Sequence, residues 1–211
     1  MRAWLTLLVL ALTAGKLAAQ TLHPAVGASA VAARVQSELS TGTVKRSGTA
    51  VGAEGRLSRG RWLLGIDYLQ GAVSPDSGSA PSRDLVEGAA QLGFQARDWL
   101  TLKGGVRARA YGLTGGTERW LFWVLGARAE RAFIGSAVNG YAELWRTLSA
   151  DVNVPERFGH AQGGEVGMIV RPSRAPLQAR LAYRIDHAVL GSGTRLETVD
   201  AVVVGLVLTR H

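Results

Sequence analysis

The chain has 211 residues, a net charge of +8, 47% apolar residues, 27 glycines and no cysteine. Apolar content this high and periodically placed excludes a disordered chain, and the missing cysteines exclude a disulfide framework, so a fold must rest on packing and hydrogen bonds. After the first 20 residues no apolar run approaches the ~20 residues that a membrane-spanning helix needs, which excludes a helical membrane protein.

The chain begins MRAWLTLLVLALTAGKLAAQ. Arg2 precedes an apolar run from Ala3 to about Ala14, and small residues then lead to Ala18, Ala19 and Gln20. This is the layout of a secretory signal peptide over residues 1–20, cleaved after Ala19 or Gln20, with one mature domain over 21–211. The apolar run is too short to cross a bilayer as a helix. No cysteine follows it, so no thiol is present for lipoprotein acylation. Export also argues against nucleic acid as the partner of the basic charge, which is spread along the chain and not gathered in a tract.

Weak two-residue alternation runs through residues 25–38, 49–58 and 61–71. It strengthens over 85–97, where Val86, Ala90, Leu92, Phe94 and Ala96 oppose Glu87, Gln91, Gln95 and Arg97. Over 101–111, Leu102, Gly104, Val106, Ala108 and Ala110 oppose Lys103, Arg107 and Arg109. Over 121–131, Leu121, Trp123, Leu125, Ala127 and Ala129 oppose Arg128 and Glu130, and over 137–147, Val138, Ala142 and Leu144 oppose Asn139, Glu143 and Thr147. A weaker run covers 159–171. Residues 177–187 then alternate strictly: Leu177, Ala179, Leu181, Tyr183 and Ile185 against Gln178, Arg180, Ala182, Arg184 and Asp186. A last weak run covers 198–210. Successive side chains of a strand point to opposite faces, so a period of two predicts strands. The count is about ten, with eight as the alternative.

The breaks agree with this reading. Pro24, Pro75, Pro81, Pro155, Pro172 and Pro176 all fall between the runs, as they must if the runs are paired strands, because proline cannot donate to a ladder. Short joins are expected near 58–61, 97–100, 134–136 and 171–176, and longer ones near 40–47, 74–83, 113–118, 150–158 and 190–194. Long and short joins taking turns predict an antiparallel meander with all long loops at one end. Both termini then lie at the short-turn end.

At this point the chain resembles the small outer-membrane β-barrel proteins of diderm bacteria. The resemblance covers everything after the signal and is one of pattern, not of a motif. It implies an all-β, antiparallel, up-and-down transmembrane barrel in the bacterial outer membrane, with lipid as its surroundings and a structural or surface-interaction role. In such a barrel apolar residues face lipid and polar residues face the lumen. The expected lumen network is Glu54, Arg56, Glu87, Lys103, Arg107, Arg109, Arg128, Glu130, Glu143, Glu165, Arg180, Arg184 and Asp186, with Arg34 also inside. Trp62, Trp99, Trp120, Trp123, Tyr68, Tyr111, Tyr141 and Trp145 are expected at the membrane interfaces, where an amphipathic ring finds both media. Eight strands enclose just enough space for their own side chains, so ten leave little more. Buried charges must be paired, and the expectation is a lumen plugged by ion pairs, with a narrow water path past the arginines as the alternative. One feature departs from the resemblance: the chain closes on Thr209, Arg210 and His211, where such proteins often end in an aromatic residue.

The search for chemistry returns little. His23, His160, His187 and His211 share no ligand spacing, and without cysteine no zinc site is expected. Asp186 and His187 precede Ser192, a combination that brings to mind the Ser/His/acid sites of outer-membrane lipid A deacylases. Adjacent residues of a strand point to opposite faces, however, so Asp186 is badly placed to orient His187. The glycine pairs at Gly163-Gly164 and Gly191-Ser192-Gly193 lack the strand–helix context and lysine of a phosphate loop. No cofactor, no catalysis and a monomer are expected. Lys45, Arg46, Arg83, Arg119, Arg157 and Arg195 fall on expected outer loops, where basic groups can pair with lipopolysaccharide phosphates. The alternatives in function are a narrow channel for small solutes, a lipid-modifying barrel enzyme and a secreted, soluble, lipocalin-like barrel.

Overall fold

The computed structural model describes residues 22–209 except 79, 114, 136, 173 and 174, so the signal peptide and the last two residues lie outside the described part. Ten strands follow one another: β1 (His23–Leu39), β2 (Gly42–Arg59), β3 (Trp62–Pro75), β4 (Arg83–Arg97), β5 (Leu100–Leu113), β6 (Gly116–Ile134), β7 (Val138–Val152), β8 (Phe158–Val170), β9 (Leu177–Leu190) and β10 (Arg195–Thr209). Each of the alternating runs read from the sequence overlaps one of them. Pro24 sits at the start of β1 and Pro75 ends β3, while the other prolines lie in joins. Every strand pairs antiparallel with its chain neighbours, and β1 pairs with β10 to close a barrel. The closing seam is long, from Ala25 opposite Thr209 to Leu39 opposite Arg195. Closure leaves no open sheet edge, the condition for placing strands in a medium that cannot hydrogen-bond to the backbone.

An even number of strands returns the chain to the rim where it started. This terminal rim carries the joins 60–61, 98–99, 135–137 and 171–176, and the far rim carries 40–41, 76–82, 114–115, 153–157 and 191–194. The expected alternation of long and short joins is not found. Two far-rim joins have two residues, and the terminal-rim join 171–176 has six. The expected loop over 40–47 is mostly ladder, with Gly42 to Ser47 paired to Leu39 to Arg34. Its turn is closed by Gly42 at φ 137°, a backbone state open to glycine. Polar strand ends satisfy one another's backbone groups whether or not their side chains alternate, so the pairing leaves no apolar signal in the sequence.

The outer surface carries an apolar belt. On β1 it is Val26, Ala28, Ala30 and Ala32, and on β10 Val202, Val204, Leu206 and Leu208, all outward and exposed. Val51, Ile66 and Leu144 are 58–69% exposed, a surface that water does not tolerate over so wide a band. About eight residues per strand, tilted by about 40°, give a belt roughly 20 Å high, close to that of membrane barrels.

Above the belt, toward the far rim, the pattern inverts. Val31, Ala33 and Val35 turn inward while Arg34, Gln36 and Glu38 turn outward. On β10, Val199 and Ala201 are inside and Thr198 and Asp200 outside. Arg34, expected in the lumen, therefore stands on the outer surface, opposite Asp200 across the β1–β10 seam. Strand ends that rise out of the lipid meet water outside, so their apolar face belongs inside, as in a soluble sheet. The aromatic residues divide for the same reason. Trp62, Tyr68, Trp99 and Trp123 are exposed on the outside, whereas Tyr111, Trp120, Tyr141 and Trp145 point inward and are buried, which corrects the expectation that all eight mark the interfaces.

Candidate functional site in the lumen

The inward positions of successive strands stack into layers. Twelve of the thirteen residues of the expected lumen network, Glu130 being the exception, line one internal cavity of about 140 Å³ at mid-height. A water takes up about 30 Å³ in the liquid, so the cavity has room for several waters. Asp67 also faces it. Its strand neighbours of the same parity, Leu63, Gly65 and Leu69, are apolar or bare, so alternation along β3 does not reveal it.

The cavity is crossed by ion pairs. Arg109 of β5 donates to Glu87 of β4 at 2.7 Å and to Asp186 of β9 at 2.7 Å. Arg184 of β9 donates to the other oxygen of Glu87 at 2.5 Å. Arg107 lies 3.8 Å from Asp186 and stacks over Trp145 at 4.5 Å, and the Trp145 indole N–H donates to Asp186 at 3.1 Å. Each carboxylate of this cluster thus meets at least two donors, the arrangement that makes a buried charge tolerable.

Two further groups flank it. On the terminal-rim side, Lys103 donates to both oxygens of Glu143 at 2.8 and 2.7 Å. Arg128 lies 3.7 Å from Glu143, lies over the Tyr141 ring at 3.7 Å and donates to Glu130 at 3.1 Å. Glu130 also accepts from Asn139 and Arg171, at 2.9 and 2.7 Å, so it is tied to the network through Arg128 although it lies outside the cavity. Toward β2, Arg56 donates to Glu54 at 2.6 Å, and Arg180 lies 3.7 Å from Glu54 and 3.9 Å from Glu165. Seven basic and six acidic side chains line the cavity. Their fields largely cancel, which leaves little preference for either sign of charge.

Between the cavity and the far rim lies a closely packed, largely apolar layer. Val35, Val73, Leu85, Tyr111, Trp120 and Val199 are each no more than 1% exposed, and the Tyr111 and Trp120 rings meet edge to face at 6.2 Å. Above it a second charged group closes the mouth. Arg195 donates to Glu118 at 2.7 and 3.1 Å, Arg83 donates to Glu118 at 3.2 Å, and the Tyr111 hydroxyl donates to Glu197 at 2.6 Å. Glu118 sits in a stretch that reads as loop, and Glu197 lies one residue before the last alternating run, so neither stands out in the sequence. Of the six basic residues expected at the outer surface, Arg46, Arg83 and Arg195 turn inward, and Lys45, Arg119 and Arg157 are exposed on the far rim.

Asp186 points into the lumen, whereas His187 points outward with its Nδ1 3.1 Å from the Thr198 hydroxyl. Among the described residues no group of three or more His, Asp or Glu side chains is placed to hold a metal ion.

No family model matches the chain, and no curated protein matches it by sequence. Solved structures do match. The outer membrane protease OmpT from Escherichia coli superposes with a TM-score of 0.60 over 91% of this chain and 97% of its own, at 6% identity. The translocator domain of the autotransporter NalP from Neisseria meningitidis matches with a TM-score of 0.46 over 97% of this chain and 95% of its own, at 16% identity. The attachment invasion locus protein Ail of Yersinia pestis gives 0.41 over 89% and 98%, at 9% identity. At such identities the first of these speaks for the architecture alone. Taken with the closed ten-strand ring and the outward apolar belt, it gives this chain the fold of a bacterial outer-membrane β-barrel.

Proposed function

We propose that this chain is a sealed barrel of the outer membrane, with its terminal rim toward the periplasm, whose role is structural or surface-binding and not transport or catalysis. The observation that carries the reading is the Glu87–Arg184 pair, which joins β4 to β9 across a ring of ten strands. A lumen bridged at its diameter and capped by a packed layer at Tyr111 and Trp120 has no continuous water path. An ion leaving water for such a layer meets a large desolvation cost. Reconstitution in planar bilayers tests this. The expected trace is flat, and discrete conductance steps would overturn the reading in favour of a narrow channel.

The absence of catalysis is supported by the opposite orientation of Asp186 and His187, which denies His187 its neighbouring acid. An unchanged lipid A mass spectrum on overexpression is the expected result, and a truncated lipid A would refute it. For the surface role, Lys45, Arg119 and Arg157 offer exposed cations at the far rim, and lipopolysaccharide phosphates are the groups they fit.

A further inference from the structure

The belt is not uniform. Between β6 and β9 it holds a groove of about 1120 Å³ that runs from Trp99 and Arg131 at the terminal rim toward Tyr183. Its floor is low because outward positions on neighbouring strands carry small side chains: Ala129 lies opposite Ala142, and Gly140, opposite Arg131, has none. The Phe133 ring packs against Gly140, where a Cβ would fall 1.9 Å from a ring carbon. Phe133 itself is 73% exposed and forms one wall, with Met168 and Leu181 as the other.

The groove ends on an uncompensated charge. Arg131 is exposed, and among the described residues it has no carboxylate within ion-pair distance, its neighbour Glu130 being engaged by Arg128 and Arg171. Arg61 and Arg97 are exposed on the same rim and are likewise unpaired among the described residues. The joins of this rim offer Asp98 as an exposed acid against them. An apolar trough sized for a chain, set in a lipid-facing belt and ending beside a free guanidinium at the interface, matches a lipid in shape and charge.

We infer that this groove binds one anionic phospholipid of the periplasmic leaflet, an acyl chain along Ala129 and Ala142 and the phosphate on Arg131. The inference rests on the membrane reading above, but not on the lumen being sealed. Native mass spectrometry of the purified full-length mature chain in detergent, with added phosphatidylglycerol or phosphatidylethanolamine, tests it. The wild type is expected to retain phosphatidylglycerol in preference. Arg131→Gln should cut that retention about fivefold, the contribution of one interfacial arginine toward anionic lipid. Ala142→Leu, which fills the floor, should release both lipids, and Arg34→Gln, at the other end of the barrel, should change neither. Equal retention of the two lipids, indifference to Arg131→Gln, or lipids still held by Ala142→Leu would each overturn the inference. So would a dimer mass that Ala142→Leu dissolves, since the groove's occupant would then be a second copy. Heat-modifiable gel mobility reports folding of each variant, and the bilayer trace reports sealing, so a folded, silent barrel without lipid preference fails this inference alone.

Discussion

Glu87 and Arg184, 97 residues apart in sequence, bond across the diameter of the barrel. Glu87 also accepts from Arg109, and without it Arg184 keeps only Asp186, which it shares with Arg109, itself also 3.9 Å from Glu197. Removing one partner of a buried pair strands the other charge and costs about 3–5 kcal/mol. Glu87→Ala should therefore lower the unfolding free energy of the vesicle-inserted barrel, from urea titration read by tryptophan fluorescence, by an amount of that order. The double variant Glu87→Leu with Arg184→Met should recover most of the loss, because apolar replacement of a whole buried pair is often neutral. A double variant no more stable than Glu87→Ala would show that the pair does not act as a unit.

Sealing has two independent parts, and they should fail separately. Glu87→Ala with Arg184→Ala opens the charged layer but leaves Tyr111 and Trp120 packed edge to face above it. That variant is expected to stay silent in planar bilayers. Adding Tyr111→Ala and Trp120→Ala removes two fully buried rings and should produce conductance steps. Steps from the first variant alone would place the whole barrier in the ion pairs.

How far this was legible from the sequence depends on which medium each strand segment faces. In the lower part of the barrel lipid lies outside, so Arg180 and Arg184 alternate cleanly with Leu181, Tyr183 and Ile185, and the face of each charge could be read. In the upper part water lies outside and the phase inverts, so Arg34 reads as luminal by the same rule that is right for Arg180. The period of two is identical in both, and only the depth of the residue decides between them. Tyr111 could have been placed inside, since it shares parity with Arg107 and Arg109 along β5. Asp67 could not, because its own strand gives it no polar companion. Nor could the partner of any luminal charge be read, since β4 meets β9 only through closure of the ring.

Where β2 and β3 cross near Gly48 and Gly71, the backbones approach closely. A Cβ at Gly71 would fall 2.3 Å from the Thr49 carbonyl oxygen and 2.4 Å from the Ala50 Cβ. Neither neighbour is a flexible side-chain end, so the strands themselves must part. Gly71→Ala should destabilise the barrel by about 1–3 kcal/mol, the usual cost of overpacking. Gly65, on the same strand, has open space around the position of its Cβ. Gly65→Ala should be neutral or stabilising by about 0.5–1 kcal/mol, because alanine has less freedom to lose in a strand. Urea midpoints of the two variants, measured side by side, check both signs, and equal shifts would mean that the close approach at Gly71 is absorbed without strain.

The far-rim cations separate surface binding from internal support. Lys45, Arg119 and Arg157 are exposed, while Arg195 is buried against Glu118 and Glu197. If the exposed three meet lipopolysaccharide phosphates, the triple change to glutamine should weaken association of the barrel with lipopolysaccharide-containing vesicles. Each contact near a charged surface contributes about 1 kcal/mol, so the triple variant should lose roughly 3 kcal/mol at low ionic strength. The difference should shrink as salt rises toward 0.5 M, where exposed charges are screened. Arg195→Gln should do the opposite. It leaves Glu118 with Arg83 and Glu197 with Tyr111 and a more distant Arg109, so it should lower the urea midpoint and leave vesicle association unchanged. Vesicle co-sedimentation across a salt series, with the urea midpoint measured for each variant, distinguishes the two. Weakened association from Arg195→Gln in a folded barrel would mean that the buried group, and not the rim, meets the phosphates.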